Sequence, residues 1–343
     1  MRSFLTALTF VFIAGLGFSW KWGLDHRLSY MSRDYALLTG KKILIDQYSR
    51  PGLAVFGDSI VLDGVQPERL GPGVINCAMN GSTPIESYFL IKRLIKAPAR
   101  PQAVLLSYNA YHFVHPDFYW ENTVKFGLVS GPEGGEVMDR IIQLKDAELL
   151  SGSGIWNLEQ RLYSFLLSRG FPPYYISSLV AEPFGVRQRE NEEALKVIAQ
   201  TRGQYYFPLS DGSQSLNADT QLKTFIVSPV VDYYFKQTLK ILKSENIPVY
   251  FYAMPVNESS VPHLDSGVVK GYREYLEGQA KADPQFHILS KWLTVYPWKL
   301  FSDYAHLNEK GTLRFNHEFA QILNRSGVPG GPYGTSLRSH QTP

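Results

Sequence analysis

The chain has 343 residues, 44% of them hydrophobic and 19% charged, enough apolar side chains for one large core or two small ones and too many for a disordered chain. Its net charge of +3 is a small excess over that length, and Lys and Arg form no run of five or more, so a nucleic-acid partner is not indicated. The single cysteine, Cys77, excludes an internal disulfide and a multi-cysteine metal site, and its apolar neighbours mark it as a small core residue.

Residues 4–20 carry no charge and are just long enough for a membrane-spanning helix, which needs roughly 17 to 20 apolar residues. The flank Trp20-Lys21-Trp22 has the form of an interfacial anchor, which favours an uncleaved span through residues 4–20. A signal peptide cleaved near Gly17-Phe18-Ser19 is the competing reading, and a buried helix of a soluble protein is the third. Both of the first two export the remainder. Residues 1–22 are therefore read as anchor or signal sequence, 23–49 as a polar, helix-prone connector, and 50–325 as the folded domain.

Within that domain, Pro51-Gly52 precedes a strand over 53–56, and Val74-Ile75 marks a second strand. The loop Asn80-Gly-Ser-Thr-Pro should cap a helix over 85–96 with Tyr88, Ile91, Leu94 and Ile95 on one face. A third strand is expected over 104–106. Later come a helix near 231–244, a strand over 248–253, a helix near 268–280, a short strand near 287–289 and a last helix from Asn308 or Glu309 to about 324. Alternating short strands and helices predict an α/β fold with a parallel sheet covered on both faces, whose site lies beyond the carboxyl ends of the strands. Residues 116–226 break the rhythm and read as an inserted lid with helical pieces near 138–149 and 156–168. The tail over 326–343 is rich in Gly, Pro and Ser and reads as disordered.

Gly57-Asp58-Ser59 follows the first strand directly. A serine leaving a strand end in a glycine-enabled turn is exposed, and a helix starting behind it offers N–H groups to an oxyanion. Asp303-Tyr304-Ala305-His306 is the sole Asp with a His three residues on. That spacing lets the carboxylate accept from Nδ1–H, so that Nε2 faces a serine. Either motif alone is weak; together they specify nucleophilic catalysis with Ser59, Asp303 and His306 as triad. Gly81 after the second strand and Asn109 after the third fall at the same sheet edge, where a backbone N–H and a side-chain amide suit an oxyanion. His112 and Asn257 are candidates for substrate contact. The spacing of His112, His115 and Asp117 is too loose for a metal site, so neither a metal nor another cofactor is expected.

Ser, Gly, Asn and His in this order, each after the matching strand, resemble the SGNH (GDSL-type) hydrolase family. Gly57-Asp58-Ser59 with Gly64, Gly81, Asn109, and Asp303 with His306 match its four blocks, over about 51–325 minus the insertion. The third block departs from the family's Gly-x-Asn-Asp, reading Ser107-Tyr108-Asn109-Ala110. The resemblance implies a three-layer α/β/α sandwich of flavodoxin-like type and an acyl-enzyme on Ser59, with the oxyanion held by Ser59, Gly81 and Asn109. Asn80-Gly-Ser-Thr-Pro-Ile-Glu-Ser, Ser107-Tyr-Asn-Ala-Tyr-His-Phe, Met254-Pro-Val-Asn-Glu-Ser and Ala305-His-Leu-Asn-Glu-Lys-Gly narrow it further. With the apolar helix, they look like the bacterial membrane-anchored SGNH proteins of alginate O-acetylation and teichoic-acid D-alanylation.

That likeness implies a single-pass inner-membrane protein with a periplasmic catalytic domain, a membrane-bound O-acyltransferase as partner and an acylated glycan as substrate. Esterase and O-acyltransferase share the acyl-enzyme and are not separated by the triad. A non-catalytic, membrane-tethered assembly subunit is the alternative from another class. A soluble lysophospholipase-like role is a third, which nothing in the sequence selects.

Overall fold

The computed structural model describes residues 2–48, 51–97, 100–116, 118–129, 131–150, 162, 165–166, 168–181, 185–207, 210–290 and 292–329. Seven strands are present among them: β1 (Leu53–Gly57), β2 (Val74–Asn76), β3 (Ala103–Ser107), β4 (Val249–Phe251), β5 (Val256–Asn257), β6 (Phe286–Ile288) and β7 (Val295–Tyr296). Five form a parallel sheet in the order β2-β1-β3-β4-β6, and β5 pairs with β7 separately. The order reverses between β1 and β3, and open parallel sheets bind ligands at such a reversal, outside the carboxyl ends.

β1 and β3 are buried along their whole length, which is why both read as unbroken apolar runs and not as alternating strands. Successive side chains feed two separate clusters. Ala54, Phe56, Val104 and Leu106 join Ile91 and Leu94 of the helix Pro84–Lys96 and Phe235 of the helix Pro229–Ser244. Leu53, Val55, Ala103 and Leu105 join Phe315, Phe319 and Leu323 of the helix Glu309–Arg325. The helix after β2 starts on a capping box: the Thr83 side chain accepts from the Ile85 N–H while the buried Glu86 carboxylate accepts from the Thr83 N–H.

Three stretches differ from expectation. The connector over 23–49 does form a helix, Arg33–Gln47, as its sequence favours, but it packs as part of the body and buries Ala36, Leu37, Gly40, Lys41, Leu44 and Ile45. Their spacing is helical, but Lys41 reads as polar in a sequence and so hides the stripe. Its ammonium in fact donates to the carbonyls of Asn76 (2.6 Å) and Gly203. The insertion holds two unanticipated helices, Pro172–Ala181 and Val186–Gln200, the second packing Ala194 and Ile198 beside Ala36 and Leu37. Its expected helix near 156–168 lies mostly outside the described residues. Finally, chain past 326 still packs: Val328 is buried and its N–H donates to Leu323 O, while 330–343 lie outside the description.

The helix Arg2–Asp25 is long and apolar enough to cross a membrane, and its most apolar window is wholly unburied.

Candidate functional site

The register pairs Gly57 of β1 with Ser107 of β3, so the two chains leave the sheet side by side and Ser59 and Asn109 each follow two residues later. The exit is tight. A Cβ on Gly57 would lie 2.5 Å from Ser107 O and 2.5 Å from Val61 Cγ2, so only glycine lets the strand pass this close before turning. Asp58 then caps the short helix Ser59–Gly64, its Oδ1 accepting from Ile60 N–H at 2.9 Å and, more weakly, from Val61 N–H at 3.4 Å.

Ser59, the first residue of that helix, meets the loop before the last helix. His306 Nδ1 lies 2.7 Å from Asp303 Oδ2 and Nε2 lies 2.9 Å from Ser59 Oγ. An ionised carboxylate only accepts, so Nδ1 carries the proton and Nε2 is left to accept from the hydroxyl. Asp303 sets this geometry twice over, because its Oδ1 also takes the backbone N–H groups of Ala305 (2.8 Å) and His306 (2.7 Å). Burial raises the Asp303 pKa, but the His306 hydrogen bond and charge and those two N–H groups outweigh it, and the net shift is downward. Burial lowers the His306 pKa, yet Asp303, with Asp63 and Asp58 behind it, holds it above the ordinary histidine value. A hydroxyl, an imidazole and a carboxylate in this chain of bonds can generate a serine nucleophile.

The remaining candidates separate. Asn109 caps the helix Ala110–Val114, and its Oδ1 accepts from His112 at both the backbone N–H (3.3 Å) and Nδ1–H (2.6 Å). Its carbonyl is thereby occupied, and its NH2 has no partner among the described residues. His112 Nδ1 also lies 3.1 Å from Asp58 Oδ2, which joins the β1 and β3 exits through one imidazole. Gly81 adopts a left-handed backbone beneath the Phe118 ring. Asn257 is not in the cleft: it is fully buried, its Oδ1 taking Ser259 N–H and its NH2 donating to Ser213 O, so its amide is spent on a turn. His115 is held by Glu148 at 2.8 Å, and Asp117 lies outside the described residues.

Two features escape sequence reasoning. Asp63, one helical turn after Ser59, is fully buried; its Oδ1 takes the Phe207 N–H at 3.3 Å and its Oδ2 has no partner among the described residues. Burial lifts its carboxyl to about 7, against the opposing pull of nearby His306. The i,i+4 spacing from Ser59 was the available signal, since it places both side chains on one helix face. The second is the end of the insertion. Gln204 Nε2 donates to Asp63 O, Tyr205 N to Leu62 O, and Ser213 N to Trp298 O, while the Phe207 ring lies 5.4 Å from the His306 ring. This strap braces the serine helix and the histidine loop together.

A scan of protein-family models and a search of curated proteins each find no match to this chain.

Proposed function

We propose that the protein is a membrane-tethered serine esterase or O-acyltransferase that forms an acyl-enzyme at Ser59. The observation that carries the reading is the hydrogen-bond chain Ser59 Oγ, His306 Nε2, His306 Nδ1, Asp303 Oδ2, all at 2.9 Å or less, at the strand-order reversal of a parallel sheet. His306 takes the Ser59 proton as Oγ attacks an ester carbonyl, and Asp303 supports the imidazolium. His306 then hands that proton to the departing alkoxide as the ester C–O bond breaks, leaving acyl-Ser59. Water or a sugar hydroxyl, deprotonated by His306 in turn, releases the acyl group. The Ser59 N–H and the unengaged NH2 of Asn109 are the oxyanion donors this reading favours, with Gly81 N–H as the third.

The finer fold reading is a three-layer SGNH sandwich, supported by the two apolar clusters fed by alternate strand residues and by the block order Ser59, Gly81, Asn109, His306. The apolar helix Arg2–Asp25, whose most apolar window is wholly unburied, supports a bilayer anchor with the domain outside the cytoplasm. The narrower likeness to envelope acylation proteins points to an acylated glycan as substrate and a membrane-bound O-acyltransferase as partner.

The test uses the full chain in mild detergent, treated with a fluorophosphonate and digested for mass spectrometry. The adduct is expected on Ser59, absent in Ser59→Ala and reduced at least about 100-fold in rate in His306→Ala. Absence of labelling in folded protein sinks the acyl-enzyme reading and leaves the assembly subunit in its place. Adding glycan acceptors during p-nitrophenyl acetate turnover then separates transfer from hydrolysis.

A further inference from the structure

A cavity of about 1010 Å³ opens where the apolar helix meets the insertion, at or just above the roughly 300–1,000 Å³ usual for small-ligand sites. Trp20 and Leu24 from the end of that helix line it together with Trp120, Val124, Met138 and Phe165. Two cations complete the lining, Arg27 and Arg169, and among the described residues no carboxylate does. Arg27 donates through Nη2 to Ser168 O at 2.6 Å, while its Nε is buried with no partner among the described residues. Arg169 lies 5.0 Å over the Phe165 ring, and neither arginine pairs with a carboxylate among the described residues.

The helix packed against the end of the apolar helix carries bare apolar side chains as well. The helix Pro172–Ala181 packs on the apolar helix through Tyr175, whose ring lies 5.5 Å from that of Trp22. It leaves Val180 81% exposed and Ile176 50% exposed, with Leu162 and Phe165 bare nearby. Exposed apolar side chains gathered at the foot of a candidate spanning helix suit contact with acyl chains better than contact with water.

We propose that this cavity binds one anionic phospholipid from the surrounding leaflet, an acyl chain lying among Trp20, Trp120, Val124 and Met138 and the phosphate meeting Arg27 and Arg169. Arginine's planar fork suits phosphate oxygens, and among the described residues the lining sets no acidic side chain against an anion. The inference rests on the bilayer reading of residues 2–25 and is independent of chemistry at Ser59.

The experiment offers the full chain in mild detergent phosphatidylglycerol or phosphatidylcholine and counts retained lipid by native mass spectrometry. One phosphatidylglycerol per chain should be retained at a concentration at least tenfold below that needed for phosphatidylcholine, and the double variant R27Q/R169Q should abolish the preference. Met138→Trp, which fills the cavity, should lower retention of both lipids at least tenfold while circular dichroism and fluorophosphonate labelling stay unchanged. Equal retention of the two lipids, retention that ignores these substitutions, or displacement of phosphatidylglycerol by inorganic phosphate alone would each overturn the proposal. Flotation with vesicles separates the two failures. Protein that floats but retains no lipid overturns the cavity proposal alone, and protein that does not float overturns the bilayer reading and the cavity proposal with it.

Discussion

His306 can take a proton from Ser59 only while neutral, so its ionisation sets the acid limb of any rate that depends on Ser59. Burial pulls its pKa down, and the Asp303 bond and the charges of Asp303, Asp63 and Asp58 overcome that pull, so the limb is expected above the ordinary value of 6.5. Replacing Asp303 with Asn removes the leading support of the imidazolium. The limb should move to lower pH, and the plateau rate should fall on the order of 100- to 10,000-fold because Nδ1 loses the acceptor that fixes its proton. Asp63→Asn should separate these effects. An Asn Oδ1 can still take the Phe207 N–H, so the fold and the plateau should hold, while loss of a carboxyl that is itself only partly ionised near pH 7 moves the limb the same way by less than Asp303→Asn does. The check is the pH dependence of fluorophosphonate labelling across pH 5 to 9 for the three proteins. A limb unmoved in Asp63→Asn removes Asp63 from the electrostatics of the site.

Elements, not residues, decide how rigidly that chemistry is held, and the strap is the element to probe. It enters at Gly203, whose φ of +106° is left-handed territory and whose added Cβ would lie 1.9 Å from Asn76 O. A backbone oxygen cannot step aside, and Asn76 itself is fixed by donating to Val61 O and Val65 O. Gly203→Ala should therefore cost about 2–4 kcal/mol in urea unfolding, from overpacking plus backbone strain. It should also slow Ser59 labelling in the fraction that stays folded, because Tyr205 and Phe207 lose their seats. Full labelling rate at reduced stability would show the strap to be scaffold only. None of this was legible in the sequence, whereas the five strands of the parallel sheet and the helices Pro84–Lys96, Pro229–Ser244, Ser266–Ala282 and Glu309–Arg325 were. The runs at 53–56 and 104–106 are apolar because both sheet faces bury them, and the Asp303 to His306 spacing is a local turn that the chain itself encodes. The strap has no period to read, and its value lies in contacts to Leu62, Asp63 and Trp298 that span 85 to 143 residues of sequence. Asn257 misled for the opposite reason: an Asn after a strand looks the same whether its amide faces a cleft or closes a turn.

At the scale of the whole molecule, the apolar helix is not a tether joined by a free linker. Trp20 meets Phe171 edge-on at 5.3 Å, Trp22 meets Tyr175, Ser19 bonds the Tyr175 hydroxyl, and Gly23 is buried beneath the same ring. The last two turns of the helix thus belong to the folded body, and the turns before residue 19 make no such contacts among the described residues. This distinguishes two truncations that a sequence-based boundary treats alike. Protein starting at residue 18 keeps every aromatic contact and sheds most of the exposed apolar surface, so it should elute as a single species without detergent. Protein starting at residue 26 loses the ring pairs Trp20–Phe171, Trp22–Tyr175 and Trp22–His26, each aromatic pair worth about 0.5–1.5 kcal/mol beyond the area it covers, and bares Phe171 and Tyr175 beside the already exposed Ile176 and Val180. It should melt several degrees lower and aggregate on size-exclusion chromatography, with the insertion as the first region to gain hydrogen exchange. If both truncations elute and melt alike, the foot of the helix contributes nothing to the fold. The seat proposed for a lipid would then lose the rigid wall that Trp20 and Leu24 supply.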